Sequence, residues 1–74
     1  MARLRMNDRG RWEIYGGIDR LKVDEVTSGE VIHVEVEGHD GLEPTRIEFE
    51  QAAGGGRYVS MDGYPLWDGM RAER

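Results

Sequence analysis

The chain has 74 residues, no cysteine and a net charge of −5, the size of one small domain that hides only about 60% of the surface its unfolded form would expose. Without cysteine, neither a disulfide framework nor a thiolate zinc site can supplement the core, and a reducing, cytoplasmic setting fits this composition. No apolar run approaches the ~20 residues of a membrane span, and Met1 to Gly10 is too short and polar for a signal h-region, so a soluble protein with no membrane partner is expected.

The charge is unevenly spread. Arg3, Arg5, Arg9 and Arg11 against Asp8 give residues 1–11 a charge of +3 and leave −8 to the rest of the chain. An acidic body repels phosphate, which confines any nucleic-acid contact to the basic arm of residues 1–10. With so few apolar anchors, that arm reads as a solvated terminus that frays, ahead of one β domain over residues 11–74.

Eleven glycines spaced through the chain mark frequent turns and favour short strands over helices. From Arg11 to Gly16, Trp12 and Ile14 alternate with Arg11, Glu13 and Tyr15, the period of a half-buried strand. Gly16-Gly17 reads as a turn. A second strand is expected over 19–23, with Leu21 and Val23 inward, before Thr27-Ser28-Gly29 breaks the chain.

Glu30 to Glu37 is the clearest strand, since Ile32, Val34 and Val36 share one face and His33, Glu35 and Glu37 the other. Turn formers from Gly38 to Pro44 lead into Thr45 to Glu50, where Ile47 and Phe49 alternate with Arg46, Glu48 and Glu50. Symmetric closure of this hairpin would set Glu35 near Arg46 and His33 near Glu48.

Gln51 to Gly56 reads as a connection. A strand from Arg57 to Met61 would turn Val59 and Met61 inward and Tyr58 and Ser60 outward. A turn at Asp62-Gly63-Tyr64-Pro65 precedes a brief last strand through Met70, Arg71 and Ala72. The expected architecture is all-β, a five- to six-stranded antiparallel SH3-like barrel or strongly bent sheet, which leaves few open edges. A sheet covered by a helix is the alternative, although the one candidate helix, 48–53, is cut short by three glycines.

The expected core is Trp12, Ile14, Leu21, Val23, Val26, Ile32, Val34, Val36, Ile47, Phe49, Val59, Met61, Leu66, Trp67 and Met70. That is near the minimum for independent folding, so a homodimer or a partner would help.

The residues Trp12, Ser28-Gly29-Glu30-Val31-Ile32, Thr45-Arg46-Ile47-Glu48 and Leu66-Trp67-Asp68-Gly69-Met70-Arg71 resemble, over residues 11–71, a family of short bacterial and mobile-element proteins known only as a domain of unknown function. Here the glycine of the last motif stands one place late, and the loop after Gly38 has no aromatic. The resemblance implies a compact β domain of phage, plasmid or integrated-element origin and supplies no activity.

His33, Glu35, Glu37 and His39 are residue types that a divalent ion accepts. Alternate strand residues lie about 6.5 to 7 Å apart, however, so four in a row do not converge and a solvated face is the simpler reading. No metal or other cofactor is expected. Gly54-Gly55-Gly56 lacks the Lys-Ser or Lys-Thr of a phosphate loop and reads as a hairpin loop. Ser28, Ser60, Thr27 and Thr45 stand in no nucleophile motif, so no enzyme is expected.

Arg46 can fork carboxylates and hold strands in register, with Glu48 as its local charge partner. Tyr15, Tyr58, Tyr64 and Trp67, near acidic stretches such as Val23-Asp24-Glu25, resemble the means by which SH3-like barrels grip proline-rich or basic peptides. Partner-binding candidates are therefore Tyr15, Tyr64, Trp67, Arg46, Glu35, Glu37 and Glu48. The leading expectation is a non-catalytic protein-binding accessory module. An acidic inhibitor of a nucleic-acid enzyme, with Glu35, Glu37, Glu48 and Glu50 standing in for phosphates, and nucleic-acid binding through the arm are the alternatives.

Overall fold

The computed structural model describes residues 1–17 and 23–74. Among them are seven strands and no helix: β1 (Ala2–Met6), β2 (Trp12–Gly16), β3 (Val23–Glu25), β4 (Val31–Glu35), β5 (Leu42–Ala52), β6 (Gly55–Ser60) and β7 (Ala72–Glu73). The expected strand over 19–23 and its core candidate Leu21 lie outside the described residues, apart from Val23.

All pairings are antiparallel, in two sheets of order β1-β2-β3 and β6-β5-β4-β7. The segment from Gly69 to Glu73 stitches them together. Leu4 N donates to Met70 O at 2.8 Å and Gly69 N to Leu4 O at 2.7 Å, while Glu35 N donates to Arg71 O at 3.1 Å and Ala72 stands opposite Val34. At the far side no ladder among the described residues joins β6 to the first sheet, so the sheets do not close into a barrel.

Sequence reading gave residues 1–10 no strand, yet Ala2–Met6 pairs along its whole length with β2. One residue supplies the reason: Leu4, opposite Ile14, is fully buried. At about 1.5–3 kcal/mol for a leucine side chain taken out of water, this anchor, with Ala2 packed against the same core, can hold a short strand that already has a ladder partner.

The core comprises Leu4, Trp12, Ile14, Val26, Ile32, Val34, Ile47, Met70 and Ala72, with Val36, Tyr58, Tyr64 and Leu66 packed against it. Four residues expected there are exposed: Val23, Phe49, Met61 and Trp67. Pairing opposite Tyr15 puts Val23 on the outer face of β3. Phe49 shares the inner face with Ile47 but lies where β5 has outrun the other sheet.

The face of β6 is the reverse of the one expected. Ile47 points inward and stands opposite Ser60, so Ser60 and Tyr58 turn in while Val59 and Met61 turn out. Buried Ser60 is satisfied by Thr45, 2.5 Å away hydroxyl to hydroxyl.

The β4–β5 hairpin also has another register. Leu42, Glu43 and Pro44 belong to the strand, which shortens the loop and sets Glu35 opposite Leu42, His33 opposite Pro44 and Arg46 opposite Val31. The expected Glu35–Arg46 and His33–Glu48 pairs do not form. Pro44 is tolerated because Ile47 N donates to Glu30 O. Donors in phase with residue 47 point to β4, whereas position 44 points the other way, ahead of the part of β5 that β6 covers.

The β5–β6 turn is tight, with Ala52 opposite Gly55 and Gly54 at φ 85°, a conformation that favours glycine. No helix forms over 48–53. Residues 48–52 pair with β6 as strand and Ala53 lies in the turn.

Candidate functional site

Chain direction reverses at Ser60. Gly63 N donates to Ser60 O at 3.0 Å, and the Ser60 hydroxyl accepts from Asp62 N at 3.3 Å and Tyr64 N at 3.4 Å. Having accepted twice, that hydroxyl has its proton left for Thr45. The buried pair therefore fixes where the chain leaves β6 and where Tyr64, Pro65 and Leu66 return beside it.

The result is a groove of about 520 Å³ between β6 and the returning loop. Trp12, Tyr58, Tyr64, Pro65 and Leu66 give it apolar walls, and Glu50 and Arg57, opposite each other across β5 and β6, mark its polar end. The Trp12 indole Nε1 donates to Tyr58 O at 3.0 Å. The Arg11 guanidinium lies 5.6 Å from the centroid of the Tyr58 ring, which also meets the Phe49 ring edge-to-face with centroids 5.1 Å apart.

Pro65 also borders a second, smaller groove of about 320 Å³, lined by Glu35, Val36, Glu37 and Trp67. Trp67 is 49% exposed. Glu35 Oε1 accepts from Arg71 N at 2.7 Å, which holds its carboxylate in place. Glu37 is exposed and has no hydrogen-bond or ion-pair partner among the described residues.

Four of the seven candidates thus gather around Pro65: Tyr64 in the larger groove, and Trp67, Glu35 and Glu37 in the smaller. The other three do not. Tyr15 lies on the first sheet under the Arg5 guanidinium, 4.4 Å from its centroid. Arg46 and Glu48 pair with each other at 2.9 Å on β5, and Glu48 also accepts from the Ser28 hydroxyl at 2.6 Å.

Nor do Asp24 and Glu25 supply the acidity beside the aromatics. Glu25 accepts from Asn7 and Arg9 and faces Arg11 at 3.7 Å, while Asp24 faces Arg74 at 3.8 Å. Glu35, Glu37 and Glu50 take that place. Sequence reading missed Trp12, Pro65 and Leu66 as groove walls, since a residue counted as core can still show one edge to a cleft.

All four arginines of the leader are engaged by the protein itself. Arg3 donates to Gly69 O at 2.5 Å, Arg5 to Glu13 at 2.6 Å and Arg9 to Glu25, and Arg11 lies between Glu25 and Tyr58. The Arg5 hydrogen bond, followed by that of Asn7, holds the Glu13 carboxyl below its ordinary value. At the chain end Arg74 binds Glu30 at 3.0 Å and, with the Thr27 N–H, lowers the Glu30 pKa likewise.

Among the described residues no three His, Asp or Glu side chains sit together as metal ligands; His39 Nδ1 meets Glu43 at 3.0 Å. No helix among these residues is long and apolar enough to cross a membrane. Comparison with family models, with curated proteins and with solved structures gives no match.

Proposed function

We propose that this protein is a non-catalytic protein-binding module whose contact surface is the pair of grooves meeting at Pro65. The observation that carries this reading is the convergence of Tyr58, Tyr64, Leu66 and Trp67 with Pro65 on one side of an 8.4 kDa domain. Concave apolar walls with a few fixed polar groups are what binding sites are made of, and aromatic side chains contribute most to such contacts.

The polar groups argue for binding over chemistry. Ser60, the one serine that lines the larger groove, is committed to Thr45 and two backbone N–H groups. Engagement of every leader arginine within the fold favours this reading over phosphate binding through the arm, and the Arg46–Glu48 pair breaks the carboxylate array that a phosphate mimic would need. Comparison with SH3-like barrels extends to the aromatic groove, and an accessory role in a mobile element rests on the Thr45-Arg46-Ile47-Glu48 family pattern.

Affinity capture from the native cell with the wild-type chain and with Tyr64→Ala, Trp67→Ala and Tyr15→Ala tests the proposal. A saturable protein partner lost with the first two variants and kept with the third supports it. A partner indifferent to Tyr64 and Trp67 would move the surface elsewhere.

A further inference from the structure

The backbone of β6 adds a feature that the side chains alone do not show. Met61 N donates to Arg46 O at 2.9 Å, so the groups in phase with Met61, those of Val59 and Arg57, face β5. Those of Gly56, Tyr58 and Ser60 face the other way. Two bonds agree with this phase: Tyr58 O accepts from the Trp12 indole, and Ser60 O from Gly63 N. The N–H groups of Tyr58 and Ser60, by contrast, have no partner among the described residues, and they give onto the larger groove.

Edge strands are ordinarily blunted by shortness, proline, lysine, a bulge or a covering loop; here the Trp12 indole and the turn after Ser60 take the Tyr58 and Ser60 carbonyls but leave both N–H groups open among the described residues. Six-residue β6 ends its sheet with no proline, and its one charge is Arg57. Resting on the reading that this face binds protein, we infer that an extended segment of another polypeptide adds to β6 as an extra strand in the groove, with a lysine or arginine of that segment reaching Glu37 and Trp67.

Shape and charge select this occupant. The Tyr58 and Ser60 N–H groups, without a partner among the described residues, belong to the strand on one side of a recess whose other side is Tyr64, Pro65 and Leu66, and that loop stands in the way of the sheet edge of a second folded copy. Copies carrying −5 each also repel one another. Pro65 also borders the smaller groove, where Glu37, with no partner among the described residues, stands beside the exposed Trp67 ring, a pairing that attracts a cation. Main-chain bonds supply affinity in strand addition, and alternate side chains supply selectivity.

The test uses the full chain, immobilised and panned against a displayed library of random nonapeptides. Enriched peptides are expected to alternate apolar and other residues and to carry a basic residue near one end. Replacing successive peptide bonds of the best binder by esters, which weakens the carbonyl acceptors that the Tyr58 and Ser60 N–H groups would meet, should lower affinity about five- to tenfold at alternate positions only, the equivalent of one hydrogen bond each. Amide exchange at Tyr58 and Ser60 should slow on binding, and Glu37→Gln should remove the basic preference while leaving that protection. Binders that tolerate ester replacement throughout, or binding without protection at Tyr58, would overturn strand addition while leaving a protein-binding face. Protection that rises with protein concentration and no peptide would identify a second copy as the occupant and overturn the inference. Failure to enrich any peptide would also overturn it, and the capture experiment with Tyr64→Ala and Trp67→Ala then decides separately whether the face binds protein.

Discussion

The indole Nε1 of Trp12, on β2, donates to the backbone carbonyl of Tyr58, on β6, at 3.0 Å, spanning the opening that the two sheets leave between them. A side chain thus stands in for a ladder. Trp12→Phe removes this hydrogen bond and part of a buried ring while keeping an aromatic in place. The expected cost is about 1–3 kcal/mol, from the lost bond and the space left behind. Urea unfolding reads it as a lower midpoint. If the bond also steadies β6, amide exchange at Val59 accelerates beyond what the global loss explains.

The Thr45–Ser60 pair predicts a pattern across a double-mutant cycle. Ser60→Ala leaves the buried Thr45 hydroxyl without its partner and releases the N–H groups of Asp62 and Tyr64, at a cost of about 1–3 kcal/mol. Adding Thr45→Val removes the stranded hydroxyl. The double variant should therefore be less destabilised than the sum of the two single ones, and additive costs would show that the two hydroxyls act independently.

These two residues also show what the sequence could and could not reveal. Alternation in Ile32-Val34 and Trp12-Ile14 was legible, because every second residue is apolar and the intervening ones are polar. In β6 both halves of the alternation carry something apolar, Tyr58 on one face and Val59 with Met61 on the other. Ile47 decides by standing opposite Ser60, a long-range fact. Leu4 was missed for a different reason: Ala2-Arg3-Leu4-Arg5-Met6 does alternate with a strand's period, but its two arginines read as a solvated terminus until β2 is placed beside it. Of the residues around the grooves, Tyr64, Trp67, Glu35 and Glu37 stand out in the sequence as aromatics and carboxylates, but Tyr64 proves half-buried and Glu37 lies in the turn beyond β4. That Pro65 joins them depends on how the chain leaves Ser60.

Leu4→Ala tests the first strand. Its side chain is fully buried, and truncation of such a leucine costs about 2–5 kcal/mol. In so small a domain this is a large part of the total stability. Thermal unfolding should show a loss far above that of Arg3→Ala, whose side chain is exposed. Equal, small effects would mean that β1 contributes little to folding.

Gly56 and Phe49 offer a further cycle. A Cβ at position 56 would collide with the Phe49 ring, so Gly56→Ala forces that half-exposed ring away from its edge-to-face contact with Tyr58. The contact is worth about 0.5–1.5 kcal/mol, which sets the expected cost. In a Phe49→Ala background no ring remains to be displaced, and the substitution should be nearly neutral in urea unfolding.

Glu13 and Glu30 give stability a defined dependence on pH. Both carboxyls are held below the ordinary value of 4.5, Glu13 chiefly by Arg5 and Glu30 chiefly by Arg74. A carboxyl with a lower pKa in the folded state than in the unfolded one favours folding while it is ionised. Its contribution is complete above the unfolded value and is lost as pH falls through the folded value. The urea midpoint should therefore be flat from neutrality down to about pH 5 and should decline below that. Glu30→Gln should lower the plateau and flatten part of the decline, and Arg74→Ala should do the same, because each removes one side of the pair. Added salt should shrink the difference between these variants and the wild type, since both partners reach solvent. A Glu30→Gln chain with an unchanged acid profile would remove Arg74 as the cause and leave Glu13 to account for the slope.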